Sequence, residues 1–323
     1  MTPLMKTLAR VRLRAGLLLP SVLFRICDRC ALSCLYCDNG AENYGGDLPP
    51  ARARQYLASL RRQLGPLRVS LTGGEPLLHP DPAGLVAACR TQALKVSLCT
   101  SGAIEDFSIL DRLQSAGLDE LFVTVPSLRR TTYETITGKP SFDRFERFLK
   151  ALVSGERRYR IVFLVTMHRH NVDEVPELLG QLPTNRRRLA VLQPLGPTFF
   201  SSEDRSGSLE LNQAQREKLP QLLQCLQRDR KRLHLLNSFL SLSMLTKDVG
   251  VFECSAGRRS LTLDQRGRVY RCLALPSCGQ LPGKLDLEAL RSPPCTRPCR
   301  YLLCNQPNIM FSFPFLGTRG WKL

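Results

Sequence analysis

The sequence predicts an α/β fold, in which a parallel sheet with crossover helices is followed by a smaller, cysteine-rich region. Short apolar runs alternate with helical stretches along the first two thirds of the chain, as in parallel strands joined by helices. The chain has 323 residues and a hydrophobic content of 43%, which is enough to bury a large core. Four of its 13 cysteines lie within 27–37 and six within 254–304.

Six strands are predicted, and at least one helix separates each from the next. The strands are expected at 22–26, 68–72, 95–100, 121–125, 160–165 and 189–193. The helices are expected at 50–64, 81–92, 107–116, 131–137, 142–153 and 172–181. Asp81 and Pro82 suit the N-cap and first position of the second helix, and Gly117 suits the end of the third. The sequence therefore predicts six β/α units.

The first cysteine group predicts a metal site directly after the first strand. Cys30, Cys34 and Cys37 have the spacing C-x3-C-x2-C, with Tyr36 before the last cysteine. Tight local groups of cysteine thiolates hold iron–sulfur clusters. A zinc loop and buried thiols are the alternatives, but structural zinc prefers two separated C-x2-C knuckles or mixed Cys and His ligands. Cys27 ends the buried strand and is not predicted to be a ligand.

A second motif follows the second strand, and together the two motifs resemble the radical S-adenosylmethionine (radical SAM) superfamily. The stretch Thr72-Gly73-Gly74-Glu75-Pro76 resembles the GGEP motif of that family. The resemblance implies an open, partial (β/α)6 TIM-type barrel. It also implies that Cys30, Cys34 and Cys37 hold a [4Fe–4S] cluster whose open iron chelates SAM, and that one electron cleaves SAM to a 5'-deoxyadenosyl radical.

The resemblance also implies SAM contacts at the carboxyl ends of the strands, where chemistry sits in such barrels. Glu75 and its turn are expected to hold the SAM amino group, and Tyr36 to pack on adenine. Thr100-Ser101-Gly102 resembles the family's T-N-G, with Ser in place of Asn. Thr166 and Gln193 are expected either to contact adenosine or to be ordinary residues of the barrel mouth. The full expected set is Tyr36, Gly73, Gly74, Glu75, Pro76, Thr100, Ser101, Thr124, Ser127, Thr166 and Gln193.

The end of the fourth strand departs from the family pattern. Related enzymes commonly carry V-S-L-D there, whereas this chain reads Val123-Thr124-Val125-Pro126-Ser127. Pro126 takes the position of the Asp, so we expect its contact to be lost or to be supplied by Thr124 or Ser127. Substrate chemistry that depends on that Asp elsewhere is not carried over, and no catalytic acid or base is predicted.

The second cysteine group predicts an auxiliary site. Alternating apolar residues on both sides of 264–267 predict a β-hairpin, and a helix is expected at 285–291. The hairpin, with Cys254 before it and Cys272 after it, resembles the auxiliary-cluster domain of SPASM/Twitch radical SAM proteins. That resemblance implies a second [4Fe–4S] cluster held by Cys254, Cys272 and two of Cys295, Cys299 and Cys304. Zinc bound by the same cysteines is the alternative.

Composition divides the chain into three regions. Gly, Pro, Ser and charged residues after 195 indicate a boundary near residue 210. The predicted regions are a basic segment 1–20, the partial barrel 21–210, and 211–323 with helices at 212–230 and 237–246 before the auxiliary domain. The first 25 residues superficially resemble a signal peptide, but Pro20 breaks the apolar run and the cysteine loop follows directly. Without an export signal or a membrane-length apolar stretch, we expect a cytoplasmic protein.

The formal net charge of +18 would attract an acidic partner. Most of the 46 basic residues are Arg, so the base composition of the genome is an alternative explanation. No nucleic-acid-binding module is recognisable in the sequence.

The resemblance implies a radical SAM oxidoreductase that abstracts hydrogen and performs a two-electron oxidation or crosslink. A ribosomally synthesised peptide is the preferred substrate, and a small alcohol such as an aminocyclitol or sugar intermediate is the alternative. About twenty residues precede the barrel, which is too few for the leader-binding domain of many peptide maturases. A flavodoxin or ferredoxin is expected to supply the electron. A non-enzymatic iron–sulfur redox or scaffold protein is disfavoured, because the GGEP stretch would then have no purpose.

Overall fold

The computed structural model describes residues 21–37, 46–93, 95–194, 209, 211–236, 257, 260–272 and 275–291. Several of the predicted features lie outside these residues: the basic segment 1–20, the helix 237–246, and Cys254, Cys295, Cys299 and Cys304. The side chain of Gln193 also lies outside the described set.

The described strands form one sheet of eight strands, in the order β6-β5-β4-β3-β2-β1-β7-β8. All neighbouring pairs are parallel except β7 with β8. The strands are β1 Ser21–Cys27, β2 Arg68–Gly73, β3 Lys95–Thr100, β4 Glu120–Thr124, β5 Arg160–Met167, β6 Arg188–Pro194, β7 Ser260–Leu263 and β8 Val269–Tyr270. The six predicted β/α units are therefore confirmed, in sequential order across the sheet.

Helices connect the successive strands, two of them between β4 and β5. They are α1 Pro50–Leu64, α2 Pro82–Arg90, α3 Ile109–Ser115, α4 Arg130–Thr137, α5 Phe142–Ser154 and α6 Val175–Gln181. After β6 come α7 Gln213–Asp229 and, beyond β8, α8 Leu287–Arg291. No helix within the described ranges is long and apolar enough to cross a membrane.

Local sequence explains the ends of these helices. Asp81 caps α2 as predicted, because its Oδ1 accepts a hydrogen bond from Gly84 N at 2.8 Å. Asn212 and Gln215 form a reciprocal capping box at the start of α7. One predicted helix, 172–181, is instead a short 3-10 helix at Val172–Glu174 followed by α6. Pro176 accounts for the new start, since proline is tolerated in the first helical turn but not in a helix interior.

The core lies between the sheet and the helices. In β5, every residue after Arg160 is buried, as expected for a central parallel strand covered on both faces. On α5, Phe145, Phe148 and Leu152 recur at spacings of three and four residues and are fully buried. These apolar faces fix the helices against the sheet and so position the loops at the carboxyl ends of the strands.

The predicted hairpin is present, but it is part of the main sheet. β7 and β8 pair antiparallel around a turn at 264–267. β7 also pairs parallel with β1, in register from Ser21 opposite Ser260 to Phe24 opposite Leu263. The buried carboxylate of Asp264 holds the turn by accepting from Arg268 N at 2.8 Å and Arg268 Nε at 2.7 Å. The hairpin is thus joined to the barrel sheet through an edge that β1 would otherwise expose.

Candidate functional site

The loop that carries the three predicted cluster ligands leaves the carboxyl end of β1. Cys30 and Cys37 are exposed and Cys34 is half-buried. The loop is anchored to the end of α4, where Ser33 N donates to Thr137 O at 2.9 Å and Leu35 N donates to Ile136 O at 2.9 Å. Gly138 ends α4 with a φ of 66°, and a Cβ there would lie 2.8 Å from Ser33 O. A glycine is therefore required where the helix end meets the loop.

The three thiols are the candidate ligands of a positively charged metal cluster. Partial burial is the main cause that raises the pKa of Cys30 to about 11 and that of Cys34 to about 12, and the nearby charge of Cys37 contributes to both shifts. The thiols are thus close enough to repel one another as thiolates. Bound metal would offset this repulsion and displace the protons. Among the described residues, no three His, Cys, Asp or Glu side chains already converge as a metal site.

Gly73 and Gly74 lie against the backbone at the start of this loop. Gly74 N donates to Cys27 O at 2.9 Å, and Glu75 N donates to Arg29 O at 2.7 Å. A Cβ on Gly73 would lie 2.3 Å from Cys27 O, and one on Gly74 would lie 2.1 Å from Arg29 O. Because no real side chain tolerates such contacts, only glycine lets the two backbones pair. The turn after β2 and the cysteine loop are consequently held together.

Glu75 is the polar centre of this turn and is 1% exposed. Its Oε1 accepts from Thr100 Oγ1 at 2.6 Å and Leu77 N at 3.1 Å. Its Oε2 accepts from Ser101 N at 2.7 Å and Ser101 Oγ at 2.5 Å. Burial raises the pKa of Glu75, and these hydrogen bonds partly oppose the shift. The structure thus brings Glu75, Thr100 and Ser101 together.

These hydrogen bonds occupy the acceptor positions that the predicted contact of Glu75 with SAM would need. A carboxylate offers about four acceptor positions, and all four are used within the chain. An incoming ammonium group would therefore have to replace one of the present donors. The hydroxyls of Thr100 and Ser101 can turn to do so, whereas the backbone N–H groups are fixed.

The other predicted residues fall into two groups. Thr166 is buried at the end of β5 close to the Tyr36 hydroxyl, and Thr124 is half-buried at the end of β4. Ser127 is buried and braces the next loop, because its hydroxyl donates to Glu174 Oε2 at 2.6 Å and accepts from Arg129 N at 2.9 Å. Tyr36 and Thr166 therefore share one region of the mouth, while the Ser127 hydroxyl is engaged away from it.

His168 and Asn171 were missed by sequence reasoning. His168 follows β5 and is fully buried, and its ring centroid lies 5.8 Å from that of Tyr36. Burial lowers the pKa of His168 to about 3, so the imidazole is neutral. Asn171 donates from Nδ2 to Pro126 O at 2.8 Å and to Thr166 O at 2.7 Å, which clamps the ends of β4 and β5. Their position directly after the fifth strand could have identified them, because functional residues of such barrels lie at the carboxyl ends of the strands.

A side-chain hydrogen bond connects the hairpin to the cysteine loop. In the turn, Gln265 Nε2 donates to Asp28 Oδ1 at 2.7 Å, which ties the β7–β8 turn to the residues before Cys30. Cys272 lies two residues after β8 and is half-buried. Since its predicted co-ligands lie outside the described residues, the auxiliary site stays a prediction.

Comparison with known sequences identifies the first half of the chain. Residues 24–182 match the family model described as the Radical SAM superfamily. The PqqA peptide cyclase of Xanthomonas oryzae pv. oryzae is 32% identical over 162 residues, which is 50% of this chain and 43% of that protein. The probable GTP 3',8-cyclase of Pyrococcus abyssi is 27% identical over 168 residues, covering 51% and 54% respectively. The chain thus spans about half the length of the curated relatives it matches.

Solved structures show the same fold over a longer stretch. Native anSMEcpe with bound AdoMet has a TM-score of 0.63 and 16% identity, covering 85% of this chain and 81% of that one. SuiB of Streptococcus suis bound to precursor peptide SuiA has a TM-score of 0.61 and 13% identity, covering 88% and 68%. The predicted partial barrel is thereby confirmed. With the cysteine loop, the glycine turn and the matched family model all within residues 24–182, the chain belongs to the radical SAM superfamily.

Proposed function

We propose that this protein is a radical SAM enzyme that modifies a ribosomally synthesised peptide. The observation that carries the proposal is the backbone pairing of the Gly73-Gly74-Glu75 turn with the cysteine loop, which supports a shared role of the two motifs in binding SAM and the cluster. The family implies a [4Fe–4S] cluster and SAM. When bound, the cluster would supply the electron that cleaves SAM to a 5'-deoxyadenosyl radical.

Each residue of the candidate site then has a defined role. Cys30, Cys34 and Cys37 hold the cluster through their thiolates. Glu75, kept in place by Thr100 and Ser101, accepts a hydrogen bond from the SAM ammonium after one hydroxyl turns away. Tyr36 presents its ring to adenine at the end of β5. The buried loops after β4 and β5, joined by Asn171, exclude water from the same mouth.

Two relatives support a peptide as the substrate. The Xanthomonas protein is a PqqA peptide cyclase, and SuiB was crystallised with its precursor peptide SuiA. The hairpin adds support for net oxidation or crosslinking, because its first strand joins the main sheet beside β1 and Cys272 follows its second strand. A second cluster there would accept the electron that the substrate radical must lose. A reduced flavodoxin or ferredoxin would supply the first electron.

The test uses anaerobically reconstituted protein and a triple variant, Cys30→Ala, Cys34→Ala and Cys37→Ala. We expect the triple variant to lose about half of the ~8 bound irons and all formation of 5'-deoxyadenosine. Cys225→Ser is the matched control, since Cys225 is exposed on α7. An unchanged rate of 5'-deoxyadenosine formation in the triple variant would refute the cluster assignment.

The substrate class needs a separate test. Short peptides encoded beside the gene are incubated with the enzyme, SAM and a reductant, and the products are analysed by mass spectrometry. We expect a peptide that has lost two hydrogens, with a new bond or an oxidised side chain. Turnover of a small alcohol together with no change in any such peptide would instead support the alternative dehydrogenase.

A further inference from the structure

A cavity of about 470 Å³ lies at the amino ends of β5 and β6. The carboxyl ends of all parallel strands, including that of β1, share the opposite edge of the sheet. The cavity is thus separated from the cysteine loop by the length of β5, roughly 25 Å for eight residues at about 3.3 Å each. The cavity is therefore distinct from the candidate site described above. Four arginines contribute to its lining: Arg157, Arg186, Arg187 and Arg188.

The rim of this cavity carries positive charge that the chain does not neutralise. Arg186 and Arg187 are exposed, and no carboxylate pairs with either within the described part of the chain. Arg188 donates to the backbone oxygen of Val153 at 3.4 Å and has no carboxylate partner among the described residues. Arg157 differs from the other three, because its Nη1 donates to Asp111. None of the residues that line the cavity is acidic.

Two residues that line the cavity each carry a buried donor that has no acceptor within the described part of the chain. Tyr159 is 2% exposed, and its hydroxyl has no hydrogen-bond partner. The side chain of Arg157 is 10% exposed, and its Nε likewise has none. Burial raises the pKa of Tyr159 above its ordinary value, so the phenol stays protonated and remains a donor. Buried donors almost always have a partner in folded proteins, so this pair indicates an acceptor supplied by a ligand.

We propose that the cavity binds the carboxylate side chain of an acidic peptide segment. A carboxylate is acceptor-only, and its two oxygens would supply the acceptors that the Tyr159 hydroxyl and the Arg157 Nε–H lack. The apolar side chains of Leu152 and Ile161 also line the cavity and suit the methylene groups of Glu. The exposed Arg186 and Arg187 attract further acidic residues of the same segment. This binding site does not depend on the proposed function. Only the further step of identifying the acidic peptide as the substrate would rest on the proposed function.

The test measures binding of a short fluorescein-labelled peptide with a run of Glu, by fluorescence anisotropy with the full chain and without SAM or iron. A peptide with Gln at the same positions is its control. We expect Tyr159→Phe to weaken binding on the order of tenfold or more, as for a hydrogen bond to a charged group. The double variant Arg186→Gln/Arg187→Gln should weaken it similarly. Arg54→Gln, which removes an exposed charge on α1, should leave binding unchanged.

Folding and nonspecific attraction are controlled separately. Tyr159→Phe removes a hydroxyl that has no hydrogen-bond partner within the described part of the chain. The thermal unfolding midpoint of this variant should therefore equal that of the parent. The proposal is overturned if Tyr159→Phe binds the Glu peptide as the parent does, or if Arg54→Gln weakens binding as much as the double variant. Tighter binding of inorganic phosphate than of the Glu peptide, lost in Tyr159→Phe, would also overturn it. Because no cleavage of SAM is measured, failure of the proposed enzyme activity does not affect this result.

Discussion

The Glu75 carboxylate is predicted to serve both SAM binding and stability. Glu75→Ala removes the acceptor of the Thr100 and Ser101 hydroxyls and of two backbone N–H groups, so unfolding should become easier by about 1 to 3 kcal/mol. SAM affinity, measured by equilibrium dialysis, should fall on the order of tenfold or more. Glu120→Ala is the matched control, because Glu120 is a buried, ion-paired carboxylate at the other end of the sheet. Unaltered SAM affinity in Glu75→Ala would make the turn purely structural.

The imidazole of His168 should make stability depend on pH. Its pKa is about 3 in the folded protein, against about 6.5 when unfolded, so the unfolded state binds the proton first as pH falls. The stabilisation is complete above pH ~6.5 and is lost as pH falls towards the folded pKa, by roughly 1.4 kcal/mol per pH unit.

Urea unfolding at several pH values tests this dependence. His168→Gln should show a smaller loss of unfolding free energy between pH ~7 and ~5 than the parent. Equal slopes for His168→Gln and the parent would contradict the buried, neutral state.

At the scale of elements, the close contact between the β2 turn and the cysteine loop makes one glycine indispensable. Gly74→Ala places a methyl group 2.1 Å from Arg29 O, which the two paired backbones can accommodate only by separating. We expect the unfolding free energy to fall by about 1 to 3 kcal/mol or more, together with impaired iron loading on reconstitution.

A second glycine provides the control. Nothing lies within 4 Å of a Cβ at Gly180, in helix α6, so Gly180→Ala should stabilise the protein by about 0.5 to 1 kcal/mol through helix propensity. Thermal unfolding and iron content of both variants give the comparison. Normal iron loading and stability in Gly74→Ala would show that the turn and the loop are not held as described.

At the scale of the whole molecule, the hairpin joins the cysteine-rich region to the barrel sheet. Replacing Cys254 and Cys272 with Ala should leave 5'-deoxyadenosine formation intact but abolish the oxidised product, because the substrate radical would lose its electron acceptor. Iron content should fall by about half. Far-UV circular dichroism and SAM binding must match the parent, since metal binding and folding are coupled in cysteine-rich regions. Product formation at the parent rate in a folded double variant would make these cysteines structural.

The sequence by itself determined the features that depend on neighbouring residues. The six apolar strands, the cap at Asp81 and the spacing of Cys30, Cys34 and Cys37 were all readable, because periodicity, capping and ligand spacing are local properties. The same holds for the hairpin, since its turn and both of its strands lie within about a dozen residues. Pro176 was an equally local signal, but the helix predicted from residue 172 ran through it, whereas α6 begins at Val175 and has the proline in its first turn.

Only the tertiary structure decided which distant residues meet. Pairing of β7 with β1 joins residues more than two hundred positions apart, and no local pattern encodes the choice of partner strand. The donors around Glu75, the burial of His168 and the arginine-lined cavity at Tyr159 likewise arise from loops that converge at the two ends of the sheet. Long-range packing selects such neighbours through shape and register, which are properties of the assembled sheet.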